Sequence, residues 1–155
     1  VSTAREGAVR IALGSDHRGW PLKERLRELL AREGHEIVDV GTGSAESTDY
    51  PVYGLAVAGK VASGEVDRGI VVCATGIGMS IAANKVDGVR AALCHTVDEA
   101  RMSRRHNDAN VLALSEKRLN DPALDELVHT WLETPFEGGR HQRRLDRIRQ
   151  YEQGR

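Results

Sequence analysis

Residues 69–85 read GIVVCATGIGMSIAANK. The first six, GIVVCA, are an unbroken apolar run with β-branched residues at its centre, the pattern of a strand buried on both faces. Thr75, Gly76 and Gly78 then interrupt it, and SIAANKV over 80–86 resumes as a short helix. A strand buried on both faces needs helices on both sides, so this one unit predicts a parallel sheet in an α/β architecture. The rest of the chain repeats the unit. Further strands are expected over 9–15, 36–40, 89–94 and 110–115. Between and after them come helices over 21–34, 51–65, 96–106 and 122–134, and a basic helix over 141–153 closes the chain. In the first helix Leu22, Leu26, Leu29 and Leu30 recur at helical spacing, with Pro21 suited to the first turn and Gly34 to the end. Right-handed crossovers then leave only a few doubly wound, Rossmann-like topologies.

The bulk composition excludes several classes of function. A chain of 155 residues with 40% hydrophobic and 29% charged residues suits one soluble domain over 1–155. Residues 1–8 read as a flexible N-terminal extension without the apolar region of a secretory signal. A net charge of −1 gives no reason to expect nucleic-acid or membrane-surface binding. No apolar run approaches the roughly 18 residues of a membrane span. Cys73 and Cys94 have no ligand-spaced partners, which argues against a disulfide framework or a zinc site. These features predict a cytoplasmic protein.

In a doubly wound sheet, ligands bind beyond the carboxyl ends of the strands. Three candidate groups fall there: Asp16 and His17 after the first strand, Cys73 to Gly78 after the third, and His95 after the fourth. A glycine-rich turn into a helix presents several backbone N–H groups to one point and suits a phosphate or a developing oxyanion. The dinucleotide fingerprint fails, because Ile81 stands where its third glycine belongs. So does the P-loop, which lacks its Gly-Lys pair, and the cysteine-phosphatase loop, because position 79 is Met where an Arg is needed. What remains is an oxyanion-binding turn beside a thiol whose thiolate the turn favours. The plain alternative is that Cys73 is a small core residue. Cys94, which has no glycine turn, reads as core.

Each other candidate also carries a bland reading. Asp16 suits capping of a helix that starts near Gly19. His106-Asn107-Asp108 suits either a general acid or an ordinary polar turn. His95 is a rival acid, while His35 and His129 read as surface residues. Arg140, Arg143, Arg144, Arg147 and Arg149 suit a solvated helix face, yet Arg140 and Arg144 are four residues apart and can converge on one phosphate. Leu145 and Ile148 give that helix an apolar stripe for the body or for a partner.

SDHRG, TDYP, CATGIGMSIAANK, GVRAAL, RRHNDANVLAL and EGGRHQRR occur in the order and at the spacing of type B ribose-5-phosphate isomerases. From about Arg10 to Tyr151 the chain resembles that family, which also includes galactose-6-phosphate and allose-6-phosphate isomerases. The resemblance implies a three-layer α/β/α sandwich with a five-stranded parallel sheet. It implies a homodimer or tetramer whose sites are shared between subunits, and a small-molecule sugar phosphate as substrate. No cofactor and no metal are implied. The implied reaction is aldose–ketose isomerisation through an enediolate, with Cys73 as the base. Thr75 and the backbone of Ala74, Gly76, Ile77 and Gly78 would stabilise the enediolate. Asp16 and His106 would open the sugar ring, with His106 and Asn107 supplied by the partner subunit. His17, Arg140 and Arg144 match phosphate contacts, and Tyr50 a residue lining the pocket.

The chain departs from the family pattern in three places. Met79 stands where one branch has a glutamate base, and Ala74 where glycine is expected. The family arginine after the fifth strand aligns with Lys117, or with Arg118 if one residue is inserted. Within the class, ribose 5-phosphate competes with erythrulose 4-phosphate, allose 6-phosphate and galactose 6-phosphate as substrate. Outside it stand a non-catalytic phosphosugar-binding module on the same fold, and a redox-active thiol protein, which would need a resolving cysteine.

Overall fold

Five parallel strands form one sheet in the order β2-β1-β3-β5-β4 in a computed structural model that describes residues 7–155. Of the N-terminal extension expected over 1–8, residues 1–6 lie outside the described residues. The strands are β1 (Arg10–Ser15), β2 (Glu36–Asp39), β3 (Arg68–Cys73), β4 (Ala91–Leu93) and β5 (Val111–Ser115). The helices are α1 (Trp20–Arg32), α2 (Tyr50–Ala62), α3 (Ile77–Ala83), α4 (Val97–Asn107), α5 (Leu124–Glu133) and α6 (Arg140–Gln153). No helix among the described residues is long and apolar enough to cross a membrane.

The sheet's alternating side chains feed two separate cores. On one face Ile11, Leu13, Ile70, Val72, Leu112 and Leu114 pack under α1, α4 and α5, with the buried Trp131 in the last turn of α5. On the other face Ala12, Val71, Cys73 and Ala113 pack under Val57, Ala58 and Val61 of α2 and Met79 and Ala83 of α3. The result is the expected α/β/α sandwich. Helix α6 stands largely outside it, since His141 is its only buried residue.

Most boundaries shift from the sequence expectation, α2 for example ending at Ala62 rather than 65, and two elements and one connecting segment differ for local reasons. Strand β4 is confined to Ala91–Leu93 rather than 89–94. The N–H of Arg90 donates to Asn110 Oδ1 (2.7 Å) and that of Ala91 to Asn84 Oδ1 (2.8 Å), so side chains take donors that a longer strand would engage. Helix α3 starts at Ile77 instead of Ser80, because Gly76 adopts φ +80° and caps it immediately. A 3-10 turn, Glu116–Asn120, fills a segment where no element was expected.

From β1 the chain crosses to β2 on one side and to β3 on the other, so the order reverses between β1 and β3. The crevice at such a switch point lies at the carboxyl ends of the two strands. Asp16 follows one and Cys73 ends the other.

Candidate active site

Cys73 is the last residue of β3 and only 5% exposed. The turn beyond it is held from two directions. Ser115 Oγ, at the end of the neighbouring β5, donates to the carbonyl of Ala74 (2.8 Å). Thr75 Oγ1 accepts the N–H of Ile77 (3.1 Å), which fixes the hydroxyl as an acceptor on that side and leaves its own O–H to point a donor elsewhere.

Two glycines let the turn sit this close to its surroundings. A Cβ on Gly78 would lie 2.6 Å from the ring of Tyr50, so that ring packs directly over the turn from the start of α2. A Cβ on Gly76 would meet Leu93 Cδ1 at 2.5 Å and the backbone of Leu114 at 2.9 Å, in a left-handed conformation that side chains resist. Gly76→Ala is therefore expected to cost about 2–4 kcal/mol, from left-handed strain plus overpacking. The urea midpoint of the purified variant checks this; an unchanged midpoint would mean that the turn has room to give.

Across the switch point Asp16 Oδ1 accepts the N–H groups of Arg18 and Gly19, both at 3.0 Å. Asp16 thus holds the turn that leads into α1, and the expectation that it caps the helix itself is corrected: the N-cap is Gly19, with no side-chain cap bond. His17 accepts the backbone N–H of Thr48 at Nδ1 (3.2 Å). That bond places the proton of the neutral ring on Nε2, the nitrogen free to donate. Thr48 Oγ1 in turn meets the hydroxyl of Tyr53 at 3.0 Å, which anchors the loop that orients His17.

The other candidates gather at the opposite end of the sheet. Helix α4 leaves the carboxyl end of β4 and runs back, so His106 and Asn107 finish beside the amino end of β5. Arg104 pins that end: it is buried, pairs with Asp108 Oδ1 (2.8 Å), and donates to the carbonyls of Ala109 (2.7 Å) and Thr134 (3.2 Å). The ring of His106 stacks on that of His141 with centroids 4.3 Å apart, so His106 is more than part of a polar turn. Helix α6 begins beside it and carries Arg140 and Arg144, both exposed. Its far end is tied to the turn before β4, where Glu152 Oε2 accepts the N–H of Gly88 (3.0 Å) and Arg155 pairs with Asp87.

One chain therefore brings Asp16, His17, Tyr50, Cys73 and the 74–78 turn together at one end. It places His106, Asn107, Arg140 and Arg144 at the other, the length of a strand away, roughly 16–20 Å for five or six residues.

The remaining candidates have ordinary explanations. Cys94 is buried and its thiol is pushed up to about 11, chiefly by burial, so it is unreactive core. His129 pairs with Glu33 (2.7 Å) and is half-buried rather than exposed. His35 is also half-buried and accepts the N–H of Val9 (3.1 Å), which corrects its reading as a surface residue. His95 is exposed, and its backbone carbonyl accepts from Arg118 (3.2 Å), which also pairs with Asp121 (2.7 Å). Arg118 thus ties its own turn to the segment after β4, while Lys117 is exposed.

One set of His and Glu side chains among the described residues, His106, Glu137 and His141, brings ligand atoms within 4.8 Å of one another. The two rings lie face to face, 13° from parallel, which directs their nitrogen lone pairs alongside each other rather than at a common ion. Arg105, 3.9 Å from Glu137, adds positive charge. The arrangement suits an imidazole pair better than a metal.

Sequence spacing missed His141, Glu137, Ser115 and Thr48. EGGRHQRR held two of these residues in plain view, but only a stacking partner from another helix gives His141 a role.

The Ribose/Galactose Isomerase family model matches residues 11–148. The chain is 47% identical to ribose-5-phosphate isomerase B of Escherichia coli over 146 residues, 94% of this chain and 98% of that protein. It is 46% identical, with the same coverage, to a putative sugar phosphate isomerase of Bacillus subtilis. Among solved structures, ribose-5-phosphate isomerase B of Clostridium thermocellum superposes with a TM-score of 0.90 at 53% identity, covering 94% of this chain and 98% of that one. The Mycoplasma genitalium enzyme with bound ribulose-5-phosphate superposes at 0.89 and 42% identity, covering 93% and 96%.

Proposed function

The chain belongs to the Ribose/Galactose Isomerase family and is a sugar-phosphate isomerase, and we propose that it interconverts ribose 5-phosphate and ribulose 5-phosphate through an enediolate with Cys73 as the base. The observation that carries this reading is the position of Cys73. Its thiol ends β3 at the switch point, beside the turn held by Ser115 and Thr75 and across from Asp16. Moving a proton between C2 and C1 needs a base within reach of both carbons and fixed donors for the enediolate oxygens. Thr75 and the backbone of Ala74, Gly76, Ile77 and Gly78 fill the second role, with the Ile77 N–H partly spent on Thr75.

Asp16 and His106 open the furanose ring, and the phosphate is held by His17 through Nε2–H together with Arg140 and Arg144. This division requires two copies of the chain, since one copy keeps His106, Asn107 and both arginines at the wrong end of its own sheet. Two features support such a pairing. Val52 and Leu55 of α2, with Ile77 and Ile81 of α3, leave an apolar surface open around the Cys73 end. Ile148 and Tyr151 of α6 are also exposed, so that helix has an apolar face which its own body does not cover. We place α6 and the end of α4 of one copy over the Cys73 crevice of another, in a homodimer or a pair of such dimers.

Turnover assays on four-, five- and six-carbon sugar phosphates test the substrate. Highest kcat/KM with ribose 5-phosphate is expected, and a preference for a four- or six-carbon substrate would overturn it. The phosphate assignment has its own test. Arg140→Ala and Arg144→Ala should each raise KM roughly 10-fold or more, because a hydrogen bond to a charged group contributes about 1.5–3 kcal/mol. Should both variants keep the parental KM, the basic helix is merely a solvated face.

A further inference from the structure

His141 is the one buried residue of α6 and is only 5% exposed. Its ring lies nearly parallel to that of His106, with centroids 4.3 Å apart. Its Nε2 is buried without a hydrogen bond, 3.4 Å from the nearest carboxylate oxygen, Glu137 Oε2. Leaving a buried nitrogen unsatisfied is costly, and an apolar side chain in the same space would avoid that cost. An imidazole is a poor choice for filler here, and its flat face is turned to the residue that does the ring chemistry.

We propose that His141 is a positioning residue for His106, a flat aromatic shelf that fixes the plane of the His106 imidazole. This rests on the reading of His106 as the ring-opening group. Two charged imidazoles at 4.3 Å repel, so protonating one disfavours protonating the other. Burial pushes the protonation of His141 downward, His106 and Arg140 push it further, and Arg144 adds to them against the opposing pull of Glu137. Arg105, on α4 beside His106, is directed at Glu137 and weakens that pull. Together these neighbours favour the neutral form of His141. A neutral ring face also attracts the protonated imidazole above it. Orientation carries the larger consequence: a misplacement of about 1 Å can cost on the order of 10²-fold in rate.

His141→Ala and His141→Phe, assayed beside His106→Asn, test the proposal with ribose 5-phosphate and with open-chain ribulose 5-phosphate. The alanine variant should lose on the order of 10²-fold in kcat from ribose 5-phosphate. Its loss from ribulose 5-phosphate should be much smaller, and KM for both should barely move. The phenylalanine variant keeps a flat ring without a titrating proton and should recover most of the lost kcat. The two should also differ from the parent in pH dependence. The folded parent binds fewer protons at His141 than the unfolded chain does, so its Tm falls as pH drops through and below the ordinary histidine value. His141→Phe should flatten that fall. Equal losses from both substrates, or a phenylalanine variant no better than alanine, would reduce His141 to a packing residue. If the alanine variant does not fold, a Tm in His141→Phe that falls with pH as steeply as the parent's, or a kcat from ribose 5-phosphate far below the parent's, overturns the proposal by itself. The reference variant separates the two failures. When His106→Asn shows the closed-ring defect and His141→Ala does not, only the shelf is rejected; when His106→Asn itself lacks the defect, the ring-opening assignment falls and the shelf with it.

Discussion

Cys73→Ala should lower isomerisation in both directions by on the order of 10²–10⁴-fold while leaving sugar-phosphate binding close to intact. The thiol is placed to carry a proton and not to hold the substrate, since the proposed phosphate contacts come from His17, Arg140 and Arg144. Removing one sulfur atom beside Val71, Met79 and Ala113 leaves a small void, so the fold should survive and a rate defect can be read as chemistry. Equilibrium binding of ribulose 5-phosphate and the rate of C2-proton exchange with solvent should be measured on the same preparation. The expected pair of results is retained binding and lost exchange. Near-parental exchange would return Cys73 to the role that its burial also suits, a small residue closing the top of the core. Met79 offers no substitute base, because its buried thioether cannot take the proton.

The sheet could be read from the chain because a parallel strand covered on both faces is apolar along its whole length, as VRIALGS and GIVVCA are. What escaped was decided by partners distant in sequence. Asn84 and Asn110 take the donors that would have lengthened β4, and no local pattern announces two asparagines reaching to Arg90 and Ala91. The Cys73 turn was legible for the opposite reason, since its work is local: a strand end runs straight into a glycine turn, and only the helix start was read three residues late. His106 shows the limit. Residue by residue, HND fits a polar turn, and its position was known only through the family resemblance. In the fold it is pinned by Arg104 and stacked on a ring from another helix, and its proposed target lies in a second copy of the chain.

The sharpest division of labour in the proposed site lies between opening the sugar and isomerising it, and His106→Asn should separate them. Ribose 5-phosphate is mostly a closed furanose, and its aldehyde must form before any proton can leave C2. An imidazole that donates to the ring oxygen and relieves the anomeric hydroxyl of its proton speeds that step. Ribulose 5-phosphate has its C5 oxygen blocked by phosphate, cannot close a furanose through it, and arrives open. The loss in His106→Asn should therefore be on the order of 10²–10⁴-fold from ribose 5-phosphate. From ribulose 5-phosphate it should be much smaller, because the open aldose can leave the site and close in solution. Initial rates in each direction, taken by quenching and product analysis, measure the difference. Equal losses would mean that His106 does not serve ring opening, and His95, exposed beyond β4, would be the next acid to replace. A four-carbon ketose phosphate, which is also open, sharpens the comparison. Its turnover should follow the ribulose direction if the defect lies in the ring, and the ribose direction if it lies in the proton transfer itself.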